Sequence, residues 1–100
     1  MADVVLLTPE ELEDEAGQLI QIAEKNDEVI QTLNGVVNGL LSGWEGEAQT
    51  AFVESFSKKR DTFERLSTDM RNFAERIKTF ASHMRDEETQ KAAQARELGA

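Results

Sequence analysis

Leu40-Leu41-Ser42-Gly43-Trp44-Glu45-Gly46-Glu47-Ala48-Gln49-Thr50-Ala51-Phe52 stands between two long helix-forming runs. Gly43 and Gly46 bracket Trp44, and glycines so placed mark a tight connection, here residues 42–46. Upstream, the positions Leu12, Ala16, Leu19, Ala23, Asn26, Ile30, Leu33, Val37 and Leu40 step by fours and threes, and only Asn26 among them is polar. Ile22, Val29 and Val36 form a second row beside that seam, which widens the apolar stripe beyond what a simple helix pair needs. Downstream, the pattern resumes as Phe52, Phe56, Lys59, Phe63, Leu66, Met70, Phe73, Ile77, Phe80 and Met84, with Lys59 its one polar break. Steps of four and three held this long are the signature of a packed helix.

The ends of these runs are also marked. Thr8 is a natural N-cap, Pro9, the chain's only proline, suits the first helical position, and Glu11 completes a Thr-x-x-Glu capping box. The acids that follow favour the positive end of the helix dipole. Beyond Arg85 the apolar content falls. The expectation is therefore a helix over 9–41, a turn over 42–46 and a helix over 47–85, with 86–100 a flexible tail. Gly35 and Gly39, four residues apart, either permit a close helix approach or are tolerated at about 1 kcal/mol each. Helices of this length reach roughly 50–60 Å at about 1.5 Å per residue, and a short connection makes them antiparallel. One hairpin cannot cover a three-row stripe. The fold class expected is all-α, an antiparallel two-helix hairpin that dimerises into a four-helix bundle. Its core would comprise Leu19, Ile30, Leu33, Val37 and Leu40 with Phe52, Phe56, Phe63, Leu66, Met70, Phe73 and Ile77.

Composition narrows the function classes. A chain of 100 residues holds one domain. Its net charge of −9 repels phosphates, which argues against nucleic acid and anionic lipid as partners. Residues 1–43 carry nine acids against one base, Lys25, while residues 44–100 carry eleven acids and ten bases. That asymmetry helps the two halves lie together. There is no cysteine, hence no disulfide or thiolate metal site. No stretch approaches a membrane span. The N-terminus lacks the basic region and apolar length of a signal peptide, so composition alone predicts a cytoplasmic protein.

Catalytic and metal-binding constellations are not apparent. His83 is the only histidine, whereas a carboxylate-bridged di-metal bundle needs two Glu-x-x-His motifs. The acidic run Glu10-Glu11-Leu12-Glu13-Asp14-Glu15 lacks the glycine and spacing of a calcium loop. No serine has a convincing base. No enzyme, cofactor or metal is expected.

Trp44-Glu45-Gly46, with Ala48, Ala51 and Phe52 after it, sits at mid-chain in the only turn between two amphipathic helices. In this the chain resembles the WXG family, the early-secretory-antigen-like proteins of type VII secretion systems, over Thr8 to Met84. The resemblance rests on Trp44, Gly46, Ala48 and Phe52. It implies a protein made in the cytoplasm and secreted, folded as a dimer, without a cleaved signal peptide. It also implies a partner that is either a second copy or a paralogous WXG protein, together with an export ATPase, a larger effector as cargo, and an association with virulence. Composition and family thus disagree on location, and the family's route does not use the signal that is missing.

The family's C-terminal Tyr followed four residues on by an acid has no counterpart, because the chain has no tyrosine. The equivalent in helix register is Met84 with Glu88, a candidate export signal; His83 with Glu87 lies one residue out of step. Asn26 and Lys59 fall within roughly a turn of each other across the hairpin. Either they form a paired polar break that sets register and partner choice, or Lys59 snorkels to Asp27 or Glu28. The function expected is that of a secreted substrate or accessory factor of a type VII-like system, acting by protein–protein binding. The alternative is a non-secreted intracellular helical adaptor.

Overall fold

The computed structural model describes residues 7–99, and the leader-free reading of the first six residues lies outside them. Helix α1 spans Pro9–Leu41 and α2 spans Glu47–Gly99, and the two lie antiparallel in a thin hairpin 81 × 30 × 15 Å. Thr8, extended at φ −77° and ψ 157°, caps α1: its Oγ1 accepts from the Glu11 amide at 3.1 Å. This satisfies one of the amide groups left over at a helix start. At the other end Ser42 donates its amide to Asn38 O and its hydroxyl to Gly39 O, and Trp44 N reaches Leu41 O. The turn then reverses at Gly46, whose φ of +113° a side chain would resist.

What holds the helices together is a seven-residue repeat of buried side chains, most of them small. On α1 the buried positions inside the helix are Ala16, Ala23, Ile30 and Val37, and on α2 they are Ser67, Ala74 and Ala81, all seven residues apart. The four alanines are 0% exposed. Short side chains let two helices approach closely, and a seven-residue recurrence keeps the contact on one seam as the pair coils.

Within the single hairpin, the seam of α2 lies beside the aromatic row rather than on it. The aromatic row was the conspicuous pattern, yet α1 packs against Ser67, Ala74 and Ala81 instead. Of the expected bundle core, Ile30 and Val37 are buried, while Leu19, Phe52, Phe56, Met70 and Ile77 are half-buried. Leu33, Leu40, Phe63, Leu66 and Phe73 are exposed in the single chain.

Two smaller differences follow. α2 does not stop at Arg85 but continues helical through Gly99. The loss of apolar residues after position 85 marks the end of packing rather than of the helix, because Gln90 to Glu97 is rich in good helix formers. Gly35 and Gly39 face open space, with nothing within 4 Å of an added Cβ, so they mediate no close approach.

Gly35→Ala is accordingly expected to stabilise the protein by up to about 1 kcal/mol. Ala74→Leu, which forces bulk into the seam, is expected to cost about 1–3 kcal/mol. Chemical denaturation of each variant beside the parent chain checks both signs.

Candidate functional site

Trp44 is half-buried, and its ring leans on Phe52 with centroids 5.5 Å apart at 46°. Phe52 in turn lies nearly parallel to Phe56 at 6.2 Å, and the Arg60 guanidinium sits 6.0 Å from the Phe56 ring. Residues 52, 56 and 60 are successive steps of four on α2, so one helix face carries a stack that begins at the turn. The indole thus braces the reversal, and Gly46 supplies the backbone for it: its carbonyl accepts from Thr50 N at 3.2 Å to open α2. Glu45, Glu47 and Glu54 rim a shallow depression beside Trp44.

The larger feature is one face of the hairpin. Ile22, Val29, Leu33, Val36 and Leu40 of α1 and Phe63, Leu66, Phe73 and Phe80 of α2 are all exposed, up to 65% at Val36 and 62% at Phe80. Relative to the buried seam they fall on the same side of both helices: all but Phe63 and Leu66 follow a seam residue by three or six positions, and those two precede Ser67 by four and one, which is the same face. Contiguous apolar surface of this extent is characteristic of a protein-binding face. The opposite side carries ion pairs.

Those pairs, and one polar contact near the seam, were only partly visible beforehand. Asn26 does not pair with Lys59. Its Nδ2 donates to Ser67 Oγ at 2.7 Å and to Phe63 O at 2.9 Å, and Ser67 Oγ lies 3.5 Å from Ala23 O. The register therefore sets Asn26 against residues 63–67, and Lys59 lies one turn nearer to Trp44. Nor does Lys59 reach Asp27, which Arg71 takes at 2.5 Å. Lys59 makes no ion pair among the described residues and lies instead beside Phe63 and Leu33.

At the open end of the hairpin, Arg85 bridges Glu13 and Glu10, the latter at 3.3 Å. The Arg71 hydrogen bond lowers the pKa of Asp27. Glu10 is lowered first by a backbone hydrogen bond in the first turn of α1 and then by Arg85. Arg85 is raised by its two carboxylate partners, Glu13 first.

Met84 is half-buried and Glu88 exposed, one turn apart on α2, with Met84 beside the Arg85 clamp. His83 is exposed. Among the described residues no group of three or more His, Cys, Asp or Glu is placed to hold a metal ion, and no helix is long and apolar enough to cross a membrane. Sequence reasoning missed Ser67, Ala74, Ala81, Arg71 and Arg85. The seven-residue recurrence of small residues was the available signal for the first three.

Comparison with known proteins agrees with this geometry. The profile described as "WXG100: Proteins of 100 residues with WXG" matches residues 6–97. An uncharacterised protein of Clostridium acetobutylicum is 25% identical over 88 residues, spanning 88% of this chain and 92% of that one. Among solved structures, EsxA of Geobacillus thermodenitrificans superposes with a TM-score of 0.77 at 28% identity, covering 89% of this chain and 97% of its own. A secreted protein of Bacillus anthracis, EsxB, gives 0.76 at 27% identity over 88% and 99%.

The ion pairs carry a pH dependence of definite sign. A carboxylate whose pKa is depressed by folding stabilises the native state above its unfolded pKa, and that contribution is lost as pH falls through the folded value. Asp27 and Glu10 therefore support the hairpin at neutral pH and cease to do so in acid, below the usual carboxylate range. The expected outcome is that Arg71→Ala and Arg85→Ala lower the melting temperature at pH 7, and that the gap from the parent chain is narrower at pH 3. Thermal melts of all three proteins at both pH values check it.

Proposed function

Because the chain belongs to the WXG100 family, we propose that it is a secreted substrate or accessory factor of a type VII-like secretion system that acts by binding protein as a helical dimer. The family is associated with type VII secretion. The observation that carries the proposal is the open apolar face on a hairpin whose turn is built from Trp44, Gly46 and Phe52. A face of that size is a liability in a monomer and an asset in an assembly. The secreted EsxB relative, alike in fold over nearly its whole length, supports export.

In this proposal the protein is made in the cytoplasm and leaves folded, without removal of a signal peptide. It travels as a homodimer or with a paralogous WXG protein, and it engages an export ATPase and a larger effector. Met84 and Glu88 serve as the export signal in place of the family's tyrosine and acid. They share one face of α2 at the point where it leaves the hairpin.

Accumulation in the medium by a strain with an intact export ATPase, and retention in a strain lacking it, is the expected result. Retention of the protein in both strains would favour an intracellular adaptor. Glu88→Ala is expected to reduce export at least several-fold while leaving helicity and solution mass unchanged.

A further inference from the structure

Arg60 stands where the hairpin otherwise places a short side chain. It precedes Ser67 by seven positions, so it holds the seam register that α2 fills elsewhere with Ser67, Ala74 and Ala81. Its carboxylate neighbours among the described residues, Glu64 and Asp61, stand at 3.9 and 4.0 Å, beyond hydrogen-bond reach. The guanidinium rests instead 6.0 Å from the Phe56 ring.

Phe56 and Arg60 together form a partition between two cavities. On the apolar side lies one of about 110 Å³, with almost wholly apolar walls from Ile30, Leu33 and Phe63 and with Lys59 beside them. On the other side lies one of about 260 Å³ among Val37, Leu41 and Val53. There Asn34, Asn38 and Ser57 supply the polar groups. Asn34 and Leu41 follow the seam residues Ile30 and Val37 by four, as Asp27 follows Ala23 and Arg71 follows Ser67. The larger cavity therefore opens on the flank of the ion pairs and stays accessible when the apolar face is occupied. Joined, the two reach the lower end of the ~300–1,000 Å³ typical of small-molecule sites.

Charge indicates what such a site takes. The chain has twenty acids against eleven bases, yet Lys59 and Arg60 line these cavities and no acid does. Asn34 Oδ1 is buried with no partner among the described residues, so turning that amide toward a ligand breaks no bond to the oxygen.

We infer that the passage past Phe56 and Arg60 binds a free anionic amphiphile, a carboxylate on an unbranched alkyl chain. The carboxylate lies in the larger cavity, where Arg60 offers a two-pronged donor and the Asn34 amide and Ser57 hydroxyl complete its hydrogen bonds. The alkyl chain passes Phe56 and ends against Ile30, Leu33 and Phe63, with Lys59 adding positive charge along the path. Opening the partition takes a side-chain movement of Arg60, which its exposed pairs with Asp61 and Glu64 resist little. The net charge of −9 repels an anionic membrane as a whole, whereas a single dissolved amphiphile meets these two cations at close range.

Calorimetric titration of the full chain with decanoate, kept below the concentration at which it forms micelles, tests the inference. Decyltrimethylammonium serves as the cationic control, and light scattering follows the solution mass. The expected result is saturable binding of one decanoate per chain at unchanged mass, with no binding of the cationic control. Arg60→Ala is expected to weaken decanoate about ten-fold or more, while Lys58→Ala, exposed and outside both cavities, keeps the parental affinity. Absence of saturable binding, equal binding of the two amphiphiles, or unchanged affinity in Arg60→Ala overturns the inference. Binding that alters the solution mass overturns it too, because the alkyl chain is then competing for the apolar face at large. If Arg60→Ala loses helicity, Ser57→Leu fills the larger cavity without removing a charge: loss of decanoate binding supports the site, and unchanged affinity refutes it.

Discussion

The seam of small residues is the constraint from which the rest of the molecule follows. Ala16, Ala23, Ser67, Ala74 and Ala81 bring α1 and α2 close together, but they bury little surface in doing so. Hydrophobic stabilisation scales with apolar area removed from water, at about 25 cal/mol per Å². Methyl groups in a narrow seam supply far less of it than leucines would. The larger apolar side chains are displaced to one flank, where the hairpin has nothing to cover them. A seam thick enough to satisfy the hairpin by itself would have left no open apolar face.

The polar contacts assign the two sides their roles. Asn26 reaches Ser67 and a main-chain carbonyl, which fixes which residues of α2 stand opposite α1. Asp27 with Arg71, and Arg85 with Glu10 and Glu13, hold the side away from the apolar rows. Exposed pairs of this kind add little stability singly. Their placement still leaves one face charged and the other largely apolar, with Lys59 the cation beside Leu33 and Phe63.

Much of this was legible in the chain. Thr8 and Pro9 marked the start of α1, the glycines around Trp44 marked the reversal, and the three–four stepping marked both helices. The seam of α2 was not legible, for a physical reason. A helix with two apolar faces shows its strongest periodicity on the face with the largest side chains, and Phe63, Leu66, Phe73 and Phe80 outweigh Ser67, Ala74 and Ala81 on any hydrophobic measure. Periodicity reports that a face is to be buried and is silent on whether the partner is the same chain. The Arg71 and Arg85 pairs were hidden because long side chains span several registers, so spacing alone does not choose among neighbouring acids. The continuation of α2 to Gly99 was obscured because loss of apolar residues looks the same whether a helix ends or merely leaves its neighbour.

The register of the hairpin also dictates an order of assembly. Contacts near Trp44 join residues close in sequence, whereas Arg85 and Glu13 are 72 positions apart. Closing a long loop in one step costs more chain entropy than closing a short one. Once the reversal at Gly46 has formed, however, each further contact encloses only a few more residues. The chain is thus built to zip from the indole outward, with the Arg85 clamp the last crossing contact to close and the first to open.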